Sequence, residues 1–208
     1  MKLLVQTDSF AMGGAEKYLI DFFPAFKENF SDVTLLTIDV DKIQPLRNRA
    51  THFLLKNKVV SAKYYFKPLE ILKIIREVSK ADLIYINKIN PSKSLVVIFI
   101  ALLLFKKVYC IEHLNIEIVS KYFFKPPILR KVIKYLMNRI NNIITISNVS
   151  HDFFIDYYQY PSDKITTIYN GVDLPKNYDV NNNTPIKIIL VGRLSLQKNQ
   201  LNFLTYIN

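Results

Sequence analysis

Short apolar runs of strand length alternate with segments of helical spacing from Met1 to Tyr169, and this alternation limits the fold more than any other feature of the chain. Lys2 to Gln6 reads as a first strand. Ala15 to Phe26 reads as a helix, with Tyr18, Leu19, Phe22, Phe23 and Phe26 at helical spacing. Asp32 to Ile38 is a second strand, and Thr51 to Leu55 is expected to be a third. Pro68 to Val78 predicts an amphipathic helix with Leu69, Leu72, Ile75 and Val78 inward. Asp82 to Ile86, Lys107 to Ile111, Asn142 to Ile146 and Ile165 to Tyr169 are further strands. Helices are expected between them at Pro91 to Phe105, at Pro127 to Ile140, and from a Ser147 cap to about Tyr158. Asn170-Gly171 reads as a turn. Such an order predicts an α/β fold: a Rossmann-like parallel sheet with right-handed crossovers and helices on both faces. In such sheets ligands bind at the carboxyl ends of the strands. The loops after Gln6, Ile86, Ile111, Ile146 and Tyr169 should therefore share one rim.

A second unit is expected after residue 173. Residues 174–185 hold two prolines and Asn181-Asn182-Asn183 with little apolar content, and read as an interdomain linker. Ile186 to Val191 then forms an apolar strand, Gly192 permits a tight turn, and Leu201, Phe203 and Leu204 suggest a helix start. Arg193 and Lys198 lie between strand and helix. Backbone N–H groups, the helix dipole and two cations together make an anion-binding corner. A strand and part of a helix cannot bury a core alone, so residues 186–208 are expected to open a second domain that the sequence leaves incomplete.

Half of the residues are hydrophobic, which calls for a packed core and excludes disorder. The formal charge of +11 implies an anionic partner: nucleic acid, an anionic membrane or a phosphorylated substrate. No nucleic-acid module is legible, and nucleic acid is not expected as a partner. The lone Cys110 lies in an apolar run and reads as a reduced core residue of a cytoplasmic protein. The apolar run Leu95 to Phe105 is about half the ~20 residues a membrane-spanning helix needs, and reads as a buried helix.

Three places could carry chemistry in the first domain. Gly13-Gly14 lets a ligand approach the backbone beside a helix N-terminus, or is a plain turn; the spacing is not G-x-G-x-x-G. His113 follows a strand that should reach the rim, where it either bonds a backbone neighbour or meets a sugar hydroxyl or a proton in transit. From Lys121 to Arg139, Lys121, Lys125, Arg130, Lys131, Lys134 and Arg139 are interleaved with apolar residues and no acid. That stretch is either an ordinary solvated basic face or one that meets an anionic membrane surface. Three scattered histidines and one cysteine give no metal-ligand spacing, and no metal is expected.

Taken in order, Gly13-Gly14-Ala15-Glu16, His113, Ile144-Thr145-Ile146-Ser147, Ile168-Tyr169-Asn170-Gly171-Val172-Asp173 and Val191-Gly192-Arg193-Leu194 with Lys198-Asn199 resemble the retaining glycosyltransferases of family 4. The resemblance implies the GT-B architecture, two Rossmann-like domains across a cleft, with this chain carrying the N-terminal acceptor domain and the start of the donor domain. It implies transfer of a sugar from a nucleotide-sugar donor to a glycan or lipid-linked acceptor, with retention and without a metal or further cofactor. Gly13 and Gly14 would line the cleft near the donor phosphates, His113 would contact the transferred sugar, and Arg193 and Lys198 would neutralise the leaving diphosphate. Polysaccharide biosynthesis and peripheral attachment to the inner face of the cell membrane fit the same resemblance. The family's Glu-x7-Glu motif is absent, since no acidic residue follows Asp179. The 208-residue chain alone is therefore expected not to turn over. The alternative is a non-catalytic acceptor-binding fragment, or a half-enzyme that needs a separate donor domain.

Overall fold

The computed structural model describes residues 1–7, 14–37, 58–62, 67–87, 94–113 and 127–171, with 202, 203 and 205 near the C terminus. The chain divides into two compact units, Met1–Asn170 and Gly171–Asn208. In the second, Asn202, Phe203 and Thr205 are helical, and the Thr205 hydroxyl donates to the Asn202 carbonyl at 2.7 Å. The linker, the strand at Ile186, Arg193 and Lys198 lie outside the described residues.

Among the described residues of the first unit, seven strands form one parallel sheet: β1 (Lys2–Thr7), β2 (Asp32–Thr37), β3 (Lys58–Ser61), β4 (Leu83–Ile86), β5 (Lys107–Glu112), β6 (Asn142–Thr145) and β7 (Ile165–Thr167). Their order is β3-β2-β1-β4-β5-β6-β7. The described helices are α1 (Gly14–Asn29), α2 (Pro68–Lys80), α3 (Ser94–Leu103), α4 (Pro127–Met137) and α5 (Asn148–Tyr158). Right-handed crossovers moving outward in opposite directions from β1 put helices on opposite faces. Thus α1 packs with Leu3, Val5, Leu35 and Ile111 on one face, while α2 to α5 pack with Leu4, Ile84, Cys110 and Ile143 on the other. Alternate side chains of each strand feed the two cores, so a sheet covered on both faces needs near-continuous apolar strands. Each fully buried Leu or Ile removes enough apolar surface from water to contribute about 1.5–3 kcal/mol.

Polar residues one step before a strand fix its register. Asp82 accepts the Lys2 backbone N–H at 2.7 Å and donates its own N–H to the Lys2 carbonyl at 2.9 Å. Asn141 brackets Val108 in the same way, at 2.8 and 2.9 Å. Ser31 donates its N–H and its hydroxyl to the Met1 carbonyl. The expected Ser147 cap is present: its hydroxyl oxygen accepts the Ser150 N–H at 3.2 Å.

Three expectations need correction. The residues that α2 buries are Ile74 and Val78, whereas Leu69, Leu72 and Ile75 are exposed. Both sets satisfy helical spacing, and docking on the sheet selects between them. On α1, Phe22 points to solvent although its spacing matched the buried Leu19 and Phe23. The apolar run at 95–105 is a buried helix on one side only: Phe99, Leu103, Leu104 and Phe105 are exposed. The strand β3 at Lys58–Ser61 was not anticipated, and Thr51–Leu55 lies outside the described residues.

Candidate functional site

Strand order reverses between β1 and β4, and in an open parallel sheet this switch point leaves a crevice at the carboxyl ends. The residues there are polar yet buried. Gln6 and Thr7 close β1, Thr37 closes β2, Asn87 follows β4, Glu112 closes β5 and Thr145 closes β6, all at 2 % exposure or less. Apart from Thr34 in β2, the buried residues inside the strands are apolar, so the buried polarity of the sheet is concentrated at one rim. Burying a polar group without a partner costs about 1–3 kcal/mol. Among the described residues, Thr7 Oγ1, Thr37 Oγ1 and Asn87 Oδ1 have no hydrogen-bond partner. Thr7 and Thr37 stand opposite each other in register. A rim that keeps such groups is suited to a polar ligand with several hydroxyls or phosphoryl oxygens.

Asn87 ties the crevice together. Its backbone N–H donates to the Gln6 carbonyl at 2.8 Å, prolonging the β1–β4 ladder by one rung. Its side-chain Nδ2 donates to the Ala15 carbonyl at 3.1 Å, holding the first turn of α1 against β4. Because α1 returns antiparallel to β1, its N-terminus opens on the rim, and the first N–H groups of a helix lack intrahelical acceptors. Gly14 is the first residue of α1; it is exposed, and a Cβ there would meet nothing within 4 Å. Among the described residues, internal packing therefore does not require the glycine. Glu16, in the same turn and 7 % exposed, already answers part of the positive end of the helix.

His113 follows β5 at the same rim and is half-buried. Its ring meets the edge of Tyr18 from α1, with centroids 5.0 Å apart at 66°. Tyr18 stacks on Phe22 at 4.3 Å and shares a side-chain hydrogen bond with Tyr85 of β4. Burial pushes the hydroxyls of Tyr18 and Tyr85 upward in pKa, so both remain neutral hydrogen-bonding groups at physiological pH. The histidine, at the end of β5, is thus held against α1 by aromatic packing. Cys110, two residues before Glu112, is fully buried; burial first, and then the Glu112 charge, raise its thiol well above the usual range.

The structure brings Gly14 and His113 to the same rim. Gly13, Lys121 and Lys125 lie outside the described residues, as do Arg193 and Lys198, and of Arg130 only the backbone in α4 is described. Lys131 is exposed on α4. Lys134 donates to Gln159 Oε1 at 2.6 Å, and the Arg139 guanidinium lies 4.3 Å over the Tyr135 ring. Among the described residues no group of three or more His, Cys, Asp or Glu could hold a metal, and no helix is long and apolar enough to cross a membrane. Sequence reasoning missed Thr7, Thr37, Asn87 and Thr145. The available signal was a polar residue closing an apolar run, as in Leu83-Ile84-Tyr85-Ile86-Asn87.

No curated protein matches the chain. Among solved structures, Anabaena HepE in complex with UDP-glucose is similar at 23 % identity and a TM-score of 0.62, over 83 % of this chain and 44 % of that one. A glycosyltransferase from Rickettsia africae is similar at 12 % identity and a TM-score of 0.57, over 83 % and 43 %. A Neisseria meningitidis UDP-GlcNAc 2-epimerase bound to UDP-GlcNAc follows at 16 % identity and a TM-score of 0.50, over 80 % and 45 %. The chain thus spans less than half of each structure. At these identities the likenesses establish the fold, a Rossmann-like half of the GT-B type. The model of Glycosyltransferase Family 4 matches residues 12–176, from just before α1 to beyond β7 and across every residue of the rim except those of β1. On that match, which takes in most of its length, the chain belongs to glycosyltransferase family 4.

Proposed function

We propose that this chain is the acceptor-side half of a glycosyltransferase that moves a sugar from a nucleotide-sugar donor to a glycan or lipid-linked acceptor, with retention at the anomeric carbon. The observation that carries the reading is the family match laid over a buried polar rim at the switch point, where α1 presents its N-terminus and His113 stands. A UDP-sugar is the first donor to test, because HepE is described with UDP-glucose. His113 contacts the transferred sugar, while Gly13 and Gly14 leave the backbone open to the donor phosphates. Arg193 and Lys198 act where charge develops on the leaving diphosphate, and fixed cations there favour the transition state over the ground state. The reaction needs neither a metal nor a further cofactor. Residues 1–173 form the acceptor domain, 174–185 the linker and 186–208 the opening of the donor domain. The enzyme works in polysaccharide biosynthesis on the cytoplasmic side, held peripherally on the inner face of the membrane with help from Lys121 to Arg139.

The test uses the full product of the coding sequence, read past Asn208. Donor hydrolysis and transfer are measured with a panel of nucleotide sugars, and the product anomer is assigned by NMR. Arg193→Ala and Lys198→Ala should each lower kcat by roughly 10²–10³, the range for a lost charge-stabilising contact. An inverted anomer would overturn retention. Epimerisation of a UDP-sugar without any acceptor would favour the epimerase chemistry that shares this fold. Activity restored only by adding a separate donor-domain chain would identify a half-enzyme.

A further inference from the structure

The outer side of α2, α3 and α4 mixes exposed basic residues, Lys73, Arg76 and Lys80 of α2 and Lys131 of α4, with exposed apolar ones, where a solvent-facing helical surface is ordinarily polar throughout. These helices lie on one sheet face, their inner stripes share one core, and α3 packs against both neighbours. Beside or opposite those inner stripes, Leu72 and Ile75 of α2, Phe99 and Leu103 of α3, and Ile128 and Val132 of α4 are all exposed. Exposed apolar residues gathered on three adjacent helices make this side a candidate binding surface.

Phe105 singles out the kind of partner. It ends α3 in a left-handed conformation, φ 53°, with the Lys106 N–H on the Ala101 carbonyl and its own N–H on the Leu102 carbonyl. This is the position that glycine normally takes at a helix end, because a Cβ is sterically costly there. The ring gains nothing from the core in return, being 96 % exposed. Lys106 and Lys107 follow at once. α3 contains no charged residue, and α4 carries Arg130, Lys131 and Lys134 with no acid. The acids of α2, Glu70 and Glu77, are each paired with a lysine of the same helix. The face is therefore apolar and net positive. A second copy would set these cations against each other, whereas an anionic bilayer complements both properties.

We propose that the outer face of α2–α3–α4 lies flat on an anionic bilayer, with Phe105 and Leu103 entering to headgroup depth. This rests on the membrane association proposed above, and it moves the contact from the Lys121–Arg139 stretch alone to a three-helix face led by Phe105. Helix axes then run along the membrane plane, the sheet lies about one helix diameter, ~10 Å, above it, and the ligand rim opens along the surface.

The chain contains no tryptophan, so Phe105→Trp gives a single fluorescent reporter. Its emission should shift to the blue with vesicles of phosphatidylglycerol and phosphatidylcholine, and stay put with phosphatidylcholine alone. Phe105→Gly should keep or raise the melting temperature, since glycine suits that backbone, yet lower vesicle partitioning at least about tenfold. If the wild type binds anionic vesicles while Phe105→Trp shows no shift and Phe105→Gly binds as tightly, this docking face is wrong and the membrane association stands. If the wild type does not bind at low salt, the association itself fails and the docking face with it. A concentration-dependent dimer that Phe105→Gly abolishes would assign the face to a second copy and overturn the proposal.

Discussion

Asn87 joins a strand, its neighbour and a helix through one side chain and one peptide N–H. Asn87→Ala should cost about 1–2 kcal/mol, the loss of a part-buried hydrogen bond to the Ala15 carbonyl. Its more telling effect is local. Amide hydrogen exchange at Tyr18 and Leu19, whose N–H groups donate to the carbonyls of the first turn of α1, should quicken relative to the rest of that helix, and unchanged exchange there would show that Asn87 does not hold the turn. Cys110 makes the opposite kind of case. The thiolate is the reactive form, and burial raises the pKa, so at pH 8 the thiol stays protonated and inert. A thiol reagent should label less than a tenth of the native protein in the time that it labels the denatured chain fully, consistent with the raised pKa. Fast native labelling would mean that the thiol is accessible.

At the scale of elements, α2 shows how an apolar pattern can be read on the wrong side. Leu69, Leu72 and Ile75 form one stripe, and Ile71, Ile74 and Val78 form another. Only the second meets the core. Ile74→Ala should therefore cost about 2–5 kcal/mol in urea denaturation, while Leu72→Ala should fall within about 0.5 kcal/mol of the wild type. Reversed magnitudes would restore the orientation expected from spacing alone. The strand ends carry the same lesson. Ser31, Asp82 and Asn141 set the register of their strands through partners 30 to 80 positions away, so nothing local in the sequence marks them.

For the whole molecule, the chain splits at Asn170–Gly171 into two compact units, close to where a linker is proposed at 174–185. Limited proteolysis should cut within that linker and release an N-terminal fragment that melts in one cooperative transition. Cutting first between β1 and β7, with the linker intact, would refute the assignment of residues 1–173 as a self-sufficient domain. One sheet also organises two opposed edges. The carboxyl edge holds the buried polar rim, and the amino edge holds the exposed turn at Phe105. The proposed ligand and membrane contacts would therefore occupy the molecule together without competing for the same surface.

The sequence by itself determined the class of fold, the parallel strands and the one rim that their carboxyl ends share. These follow from local periodicity, from connection lengths and from the one-handedness of crossovers, all of which act along the chain. It also placed the Ser147 cap, because a cap and its target N–H lie within one helical turn. Only the tertiary structure decided the strand order, hence the switch point, and which of two apolar stripes each helix buries. It alone showed that Thr7, Thr37 and Asn87 are sealed polar groups and that Phe105 stands free of the core. The physical reason is that burial and register are set by contacts between residues far apart in sequence, and two stripes of equal hydrophobicity differ only in what the fold puts in front of them.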